Sequence, residues 1–100
     1  MADGDVIIDT QFELDDPPGH KIRLFACEDS SRPGNVKYRF HCWNPDTGDT
    51  VLRYDNAHDH PSAGWHHRHT NETDEPESVA FRGLQDHITR FQQDVRSIND

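Results

Sequence analysis

The chain has 100 residues, enough for one domain with a single modest core, and only 31% of them are hydrophobic. Asp and Glu total 19 against 10 Lys and Arg, a formal charge of −9, which argues against broad nonspecific nucleic-acid binding but does not exclude a local basic groove. No apolar run approaches the roughly 20 residues that cross a bilayer, and the start, MADGDVIID, lacks the basic and apolar segments of a signal peptide, so a cytoplasmic location is expected.

Residues 6–14, VIIDTQFEL, read as a first strand closed by the turn signal DDPPG at 15–19. Residues 20–28 alternate, with Ile22, Leu24 and Ala26 on one face and Lys21, Arg23 and Phe25 on the other, the period of a half-buried strand. After the turn DSSRPGN, residues 36–43 alternate again, setting Val36, Tyr38, Phe40 and Cys42 against Lys37, Arg39, His41 and Trp43. NPDTGD at 44–49 is a hairpin loop, and 50–56 is the returning strand. WHHRH at 65–69 makes a short further strand with Trp65, His67 and His69 on one face.

TNETDEPE at 70–77 is an acidic loop that carries helix-start residues: Thr73 or Asp74 as the cap, Pro76 in the first turn, and Glu77 near the positive end of the dipole. Over 78–98 the period changes: Leu84, Ile88, Phe91, Val95 and Ile98, spaced 4, 3, 4 and 3, form one helical stripe. The expected architecture is α+β, one domain over 1–100 with a strand-rich part from 5 to 69. It is an antiparallel meander of four to five strands with one C-terminal amphipathic helix packed on one face. Cys27 and Cys42 lack metal or redox spacing and read as small buried hydrophobes. The edge strand at 6–14 offers a way for two copies to pair as a homodimer.

Two compositional features stand out. Asp outnumbers Glu 14 to 5 and Arg outnumbers Lys 8 to 2, a balance expected of a halophilic protein kept hydrated in concentrated salt. An ordinary acidic surface that resists association is the plainer reading. The second feature is histidine: five of eight fall within twelve residues, at His58, His60, His66, His67 and His69. Taken singly, a histidine is more often a structural hydrogen-bonder, and His20, His41, His66 and His87 are read that way. As a group, the cluster has no evident packing purpose.

Two chemistries fit it. On extended chain, His58-x-His60 and His67-x-His69 each present paired imidazoles, and with Asp55 or Asp59 they supply donors for zinc or another divalent ion. Alternatively, His58, His60, His67 and His69 move protons without any cofactor. Cleavage of RNA through its own 2′-hydroxyl needs a base, an acid and positive charge on the phosphorane, and imidazoles supply the first two near neutral pH. Arg53, Arg68 and Arg39 would hold phosphate by their planar donor forks, and Tyr54 or Trp65 would stack on a base. Proton transfer is the favoured reading, with the four-histidine metal site as its alternative.

The stretch LRYDNAHDHP at 52–61, then HHRHT at 66–70 and an acidic loop into a last helix, resembles the TumE family of small toxins from prokaryotic toxin–antitoxin pairs. The resemblance covers roughly residues 50–92. Arg53, Tyr54, Asp55, Asn56, Ala57, His58 and His60 carry its first block; His66, His67, Arg68 and His69 carry its second. Arg68 replaces the family's Lys, Trp65 its Pro, and Asp59 separates two histidines that are adjacent in the family. The resemblance implies a toxin encoded beside a small DNA-binding antitoxin. Together with the residue chemistry it gives an RNA-directed endoribonuclease, in which Asp55 orients a neighbouring histidine as carboxylates do in catalytic triads. The alternatives are a non-catalytic binding module with a structural His/Asp metal site, and a degenerate toxin that only binds its partner.

Overall fold

The alternating segments do become a sheet. In the computed structural model, which describes residues 4–14, 19–56, 64–70 and 76–99, the strands are β1 (Val6–Glu13), β2 (Lys21–Glu28), β3 (Val36–Trp43), β4 (Thr50–Asp55), β5 (His67–His69) and β6 (Glu77–Ser78), followed by one helix, α1 (Leu84–Asn99). Every neighbouring pair is antiparallel and the spatial order follows the chain order, a six-stranded meander. No helix among the described residues is long and apolar enough to cross a membrane.

The architecture is the α+β one expected, with six strands where four to five were expected. The additional strand is β6, whose Ser78 and Glu77 pair with His67 and Arg68. Two residues are too few to leave a periodic signature. Their pairing continues as the Val79 N–H donates to the His66 carbonyl at 2.9 Å. Because the backbone of 77–79 is committed to the sheet, the helix cannot begin at 78. It begins at Leu84, just after Gly83, whose φ of +112° is outside the helical region. The caps expected at Thr73 or Asp74 lie outside the described residues.

The faces of the sheet are sorted by the strand period. Ile22, Leu24, Ala26, Val36, Tyr38, Phe40, Cys42, Leu52 and Tyr54 are buried beneath α1, which contributes Phe91 and Val95 fully and Leu84 and Ile88 in part. The expected stripe is therefore the packing face, and only the Ile98 side chain falls outside the described set. Both cysteines are free, and burial pushes the Cys42 thiol up to about 11, so it is an inert core residue.

His87 also belongs to this interface. It is 1% exposed and is ringed by Tyr38, Tyr54, Phe40, Phe81 and His66, with centroids 4.8 Å away for Tyr38 and 5.1 Å for Phe81. Phe81 stacks on His66 at 4.5 Å and lies over the β2–β3 turn, where Gly34 has φ of +79°. A Cβ at Gly34 would stand 2.9 Å from the Phe81 ring, so both backbone and space require glycine there.

Candidate active site

Strand β4 ends in Arg53, Tyr54, Asp55 and then Asn56, and the pleat sends alternate side chains to opposite faces. Leu52 and Tyr54 go under the helix; Arg53 and Asp55 go to the open face. Strand β5 pairs with it as Arg53↔His69, Tyr54↔Arg68 and Asp55↔His67, so His67 and His69 join Arg53 and Asp55, while Arg68 joins Tyr54. Each motif block thus contributes to both sides of the sheet.

On the open face, Asp55 is the hub. Its Oδ1 lies 2.8 Å from His67 Nε2 and its Oδ2 lies 2.8 Å from Arg53 Nε. The other ring nitrogen of His67 faces the Trp65 carbonyl at 3.2 Å, so the ring is gripped from both sides. His67 is 0% exposed and Asp55 is 7% exposed, while Arg53 and His69 are only partly covered. The His69 ring meets that of His67 edge-on at 5.1 Å. One ligand atom each from Asp55, His67 and His69 falls within 4.8 Å of the others, a two-imidazole, one-carboxylate donor set that fits a divalent transition metal.

The helix side of the same strands is a brace. Arg68 Nη1 donates to Asp94 Oδ2 at 3.0 Å, the Tyr54 hydroxyl donates to the same oxygen, and Glu77 stands 3.8 Å from Arg68 Nε. Burial, then the bond to Asp94, push the Tyr54 hydroxyl well above the usual tyrosine range, which keeps it a donor. Asn56 is fully buried and joins β4 to β3: it accepts from Tyr38 N at 2.9 Å and donates to Val36 O at 2.7 Å. His66 shares a 2.9 Å hydrogen bond with the Tyr38 hydroxyl, and burial, with the nearby His67, lowers its pKa.

Of the residues named from sequence, Arg53, Asp55, His67 and His69 are thus brought together. Tyr54 is fully buried and Arg68 points to α1. Trp65 is half-buried, with the Arg32 guanidinium 5.6 Å from its ring centroid. His58 and His60 lie outside the described residues. Two residues of the assembly were missed. Asp94 occupies a polar helix position with nothing in the sequence to tie it to Arg68. His87 did carry a signal, since it stands three residues after Leu84 and four before Phe91, on the apolar stripe.

The motif blocks agree with the comparison to known families. No curated protein and no solved structure matches the chain. A family model described as "Toxin TumE" matches residues 8–99, nearly the whole chain. The chain therefore belongs to the TumE toxin family, a membership that carries a toxin role and implies an antitoxin partner.

Proposed function

We propose that this toxin is an endoribonuclease that uses histidine acid–base chemistry and needs no metal. The observation that carries it is the chain Arg53–Asp55–His67 beside a partly exposed His69. A buried imidazole held between a carboxylate and a carbonyl is a positioning group, and His69 is the neighbour it positions. His69 would exchange a proton with substrate, and His58 or His60, which follow Asn56 closely in sequence, would supply the second imidazole. In the reaction a base removes the 2′-hydroxyl proton and the 2′-oxygen bonds to the adjacent phosphorus. The bond from phosphorus to the 5′-oxygen then breaks as an acid protonates that oxygen. Arg53 would hold the phosphate with the part of its fork that Asp55 leaves unused. Arg68 and Tyr54 brace β4 and β5 from beneath, and Trp65 flanks His67 through its carbonyl.

The reaction is tested with full-length protein freed of antitoxin and end-labelled RNA in excess chelator. Cleavage that leaves 2′,3′-cyclic phosphate ends and spares 2′-O-methyl RNA is the expected result. Equal cleavage of 2′-O-methyl RNA would overturn the mechanism, and no cleavage at all would leave a toxin that only binds its partner.

The donor set of Asp55, His67 and His69 favours a second reading, a module with a structural divalent ion such as zinc. There, the chelator would lower Tm sharply, with no RNA cleaved before or after. The partner is proposed to be a small DNA-binding antitoxin encoded alongside, and the compartment the cytoplasm.

A further inference from the structure

The open face of the sheet does more than carry the histidines. Read across the strands, Gln11, Arg23, His41, Arg53 and His69 are successive register partners on β1 to β5, one unbroken row. The row beside it runs Asp9, Phe25, Arg39, Asp55 and His67 on β1 to β5. With strands about 4.8 Å apart, the row from Arg23 to His69 spans about 14 Å and ends at the site described above.

This face is concave. A groove of about 740 Å³ opens on it and takes in Arg23, Lys37, Arg39 and Arg53, with Asp55 as its one acidic residue. The groove thus gathers four of the chain's 10 Lys and Arg but one of its 19 Asp and Glu. On a molecule of charge −9 such sorting is a local reversal of sign, even with Asp9 of β1 paired to Arg23 at 3.2 Å. Among the described residues neither Lys37 nor Arg39 is ion-paired, and both are exposed. Two partly exposed aromatics interrupt the charges: Trp43, stacked on His41 at 5.1 Å, and Phe25, with the Arg23 guanidinium 5.5 Å from its centroid. Cations that follow a backbone, interleaved with rings on which bases stack, are the chemistry of a single-strand binding surface. A duplex offers its phosphates but not its base faces.

We infer that this groove is the track of a single-stranded RNA, which lies across β2–β4 and delivers a phosphate to Arg53 and His69. The track rests on the ribonuclease reading for its direction, since the row ends at the proposed acid–base group. Arg23, Lys37 and Arg39 hold the backbone ahead of the site, and Trp43 and Phe25 stack its bases.

The test is binding of a fluorescein-labelled 2′-O-methyl single strand, which cannot be cleaved through its sugar, to the full chain by fluorescence anisotropy. A duplex of the same sequence serves as the comparison. The single strand should bind more tightly than the duplex, and its affinity should fall with salt. Arg39→Ala and Arg23→Ala should each flatten the slope of log affinity against log salt by about 0.7, and Trp43→Ala should weaken binding by about 5- to 150-fold. Arg96→Ala, on the exposed side of α1, should change neither. Circular dichroism of each variant separates lost binding from lost folding.

Undiminished binding in all three groove variants would overturn the track. If those variants still cleave RNA at wild-type rates, the track fails while the histidine chemistry stands. Groove variants that lose the antitoxin yet keep RNA would also overturn it and assign the surface to an acidic protein partner. Tight, groove-dependent binding by a chain that never cleaves RNA would support the track and sink the ribonuclease instead.

Discussion

The two faces of one sheet are made from the same strands and do opposite work. Beneath α1 most of the alternate residues are aromatic or aliphatic, and the Tyr54 hydroxyl and the Asn56 amide that enter there each have a defined partner. On the other face Arg, Lys and His side chains gather with Phe25 and Trp43 around Asp55, while Asp9 on β1 pairs with Arg23, and Asp55 and His67 are buried among them. The difference teaches how a short motif can be dense without being uniform. Arg-Tyr-Asp-Asn is no catalytic cluster of four but two interleaved pairs. Arg53 and Asp55 face the groove; Tyr54 and Asn56 fix the strand that holds them.

The division predicts that mutations separate into those that cost activity and those that cost stability. His69→Ala should give the largest effect, a fall in RNA cleavage of about 10²- to 10⁴-fold with Tm little changed. A drop in Tm that matches the loss of cleavage would break the comparison by making His69 structural. Phe91→Ala does the reverse: truncating a fully buried ring should cost about 3–5 kcal/mol in urea unfolding. The surviving folded fraction should retain its single-strand affinity.

His87 sharpens the contrast through pH. Burial among the rings lowers its pKa from 6.5 to about 4, with His66 and Arg90 adding to the fall and Asp86 opposing it. The unfolded chain takes up the proton first, so this contribution to stability is full above pH 6.5, drains away as pH falls toward 4, and levels off below. The interval corresponds to about 3 kcal/mol. His87→Phe should remove that slope from urea midpoints measured between pH 7 and 4; an unchanged slope would place its origin elsewhere. The smallest effect belongs to Tyr54→Phe, which deletes the bond to Asp94 at about 1–2 kcal/mol. Its cleavage rate should fall by less than that of His69→Ala, because Tyr54 supports the site from the far side of the strand.

Much of this division was legible in the chain itself. The period of two over residues 20–28 and 36–43 named the buried faces of β2 and β3, and the stripe of Leu84, Ile88, Phe91 and Val95 named the helix face. That same period places Arg53 and Tyr54, as strand neighbours, on opposite faces, so grouping both at one phosphate site already strained against the strand assignment. Other features were out of reach. The partnership of Arg68 with Asp94 joins residues 26 apart in sequence and depends on where α1 lies on the sheet. Strand β6 exists only because β5 offers it an edge, a tertiary fact with no local propensity behind it. The acidic total hid the groove, since composition averages over faces that topology keeps apart.

The glycine of the β2–β3 turn has a reach beyond its own corner. A methyl group on Gly34 would press on Phe81, Phe81 is stacked on His66, and His66 is bonded to His67 through the peptide chain. A hairpin tip that touches no substrate therefore acts as the backstop of the ring stack behind β5. The tolerance with which the imidazole of His67 meets Asp55 is set in part by the smallest side chain in the protein, on a turn more than thirty positions away in sequence.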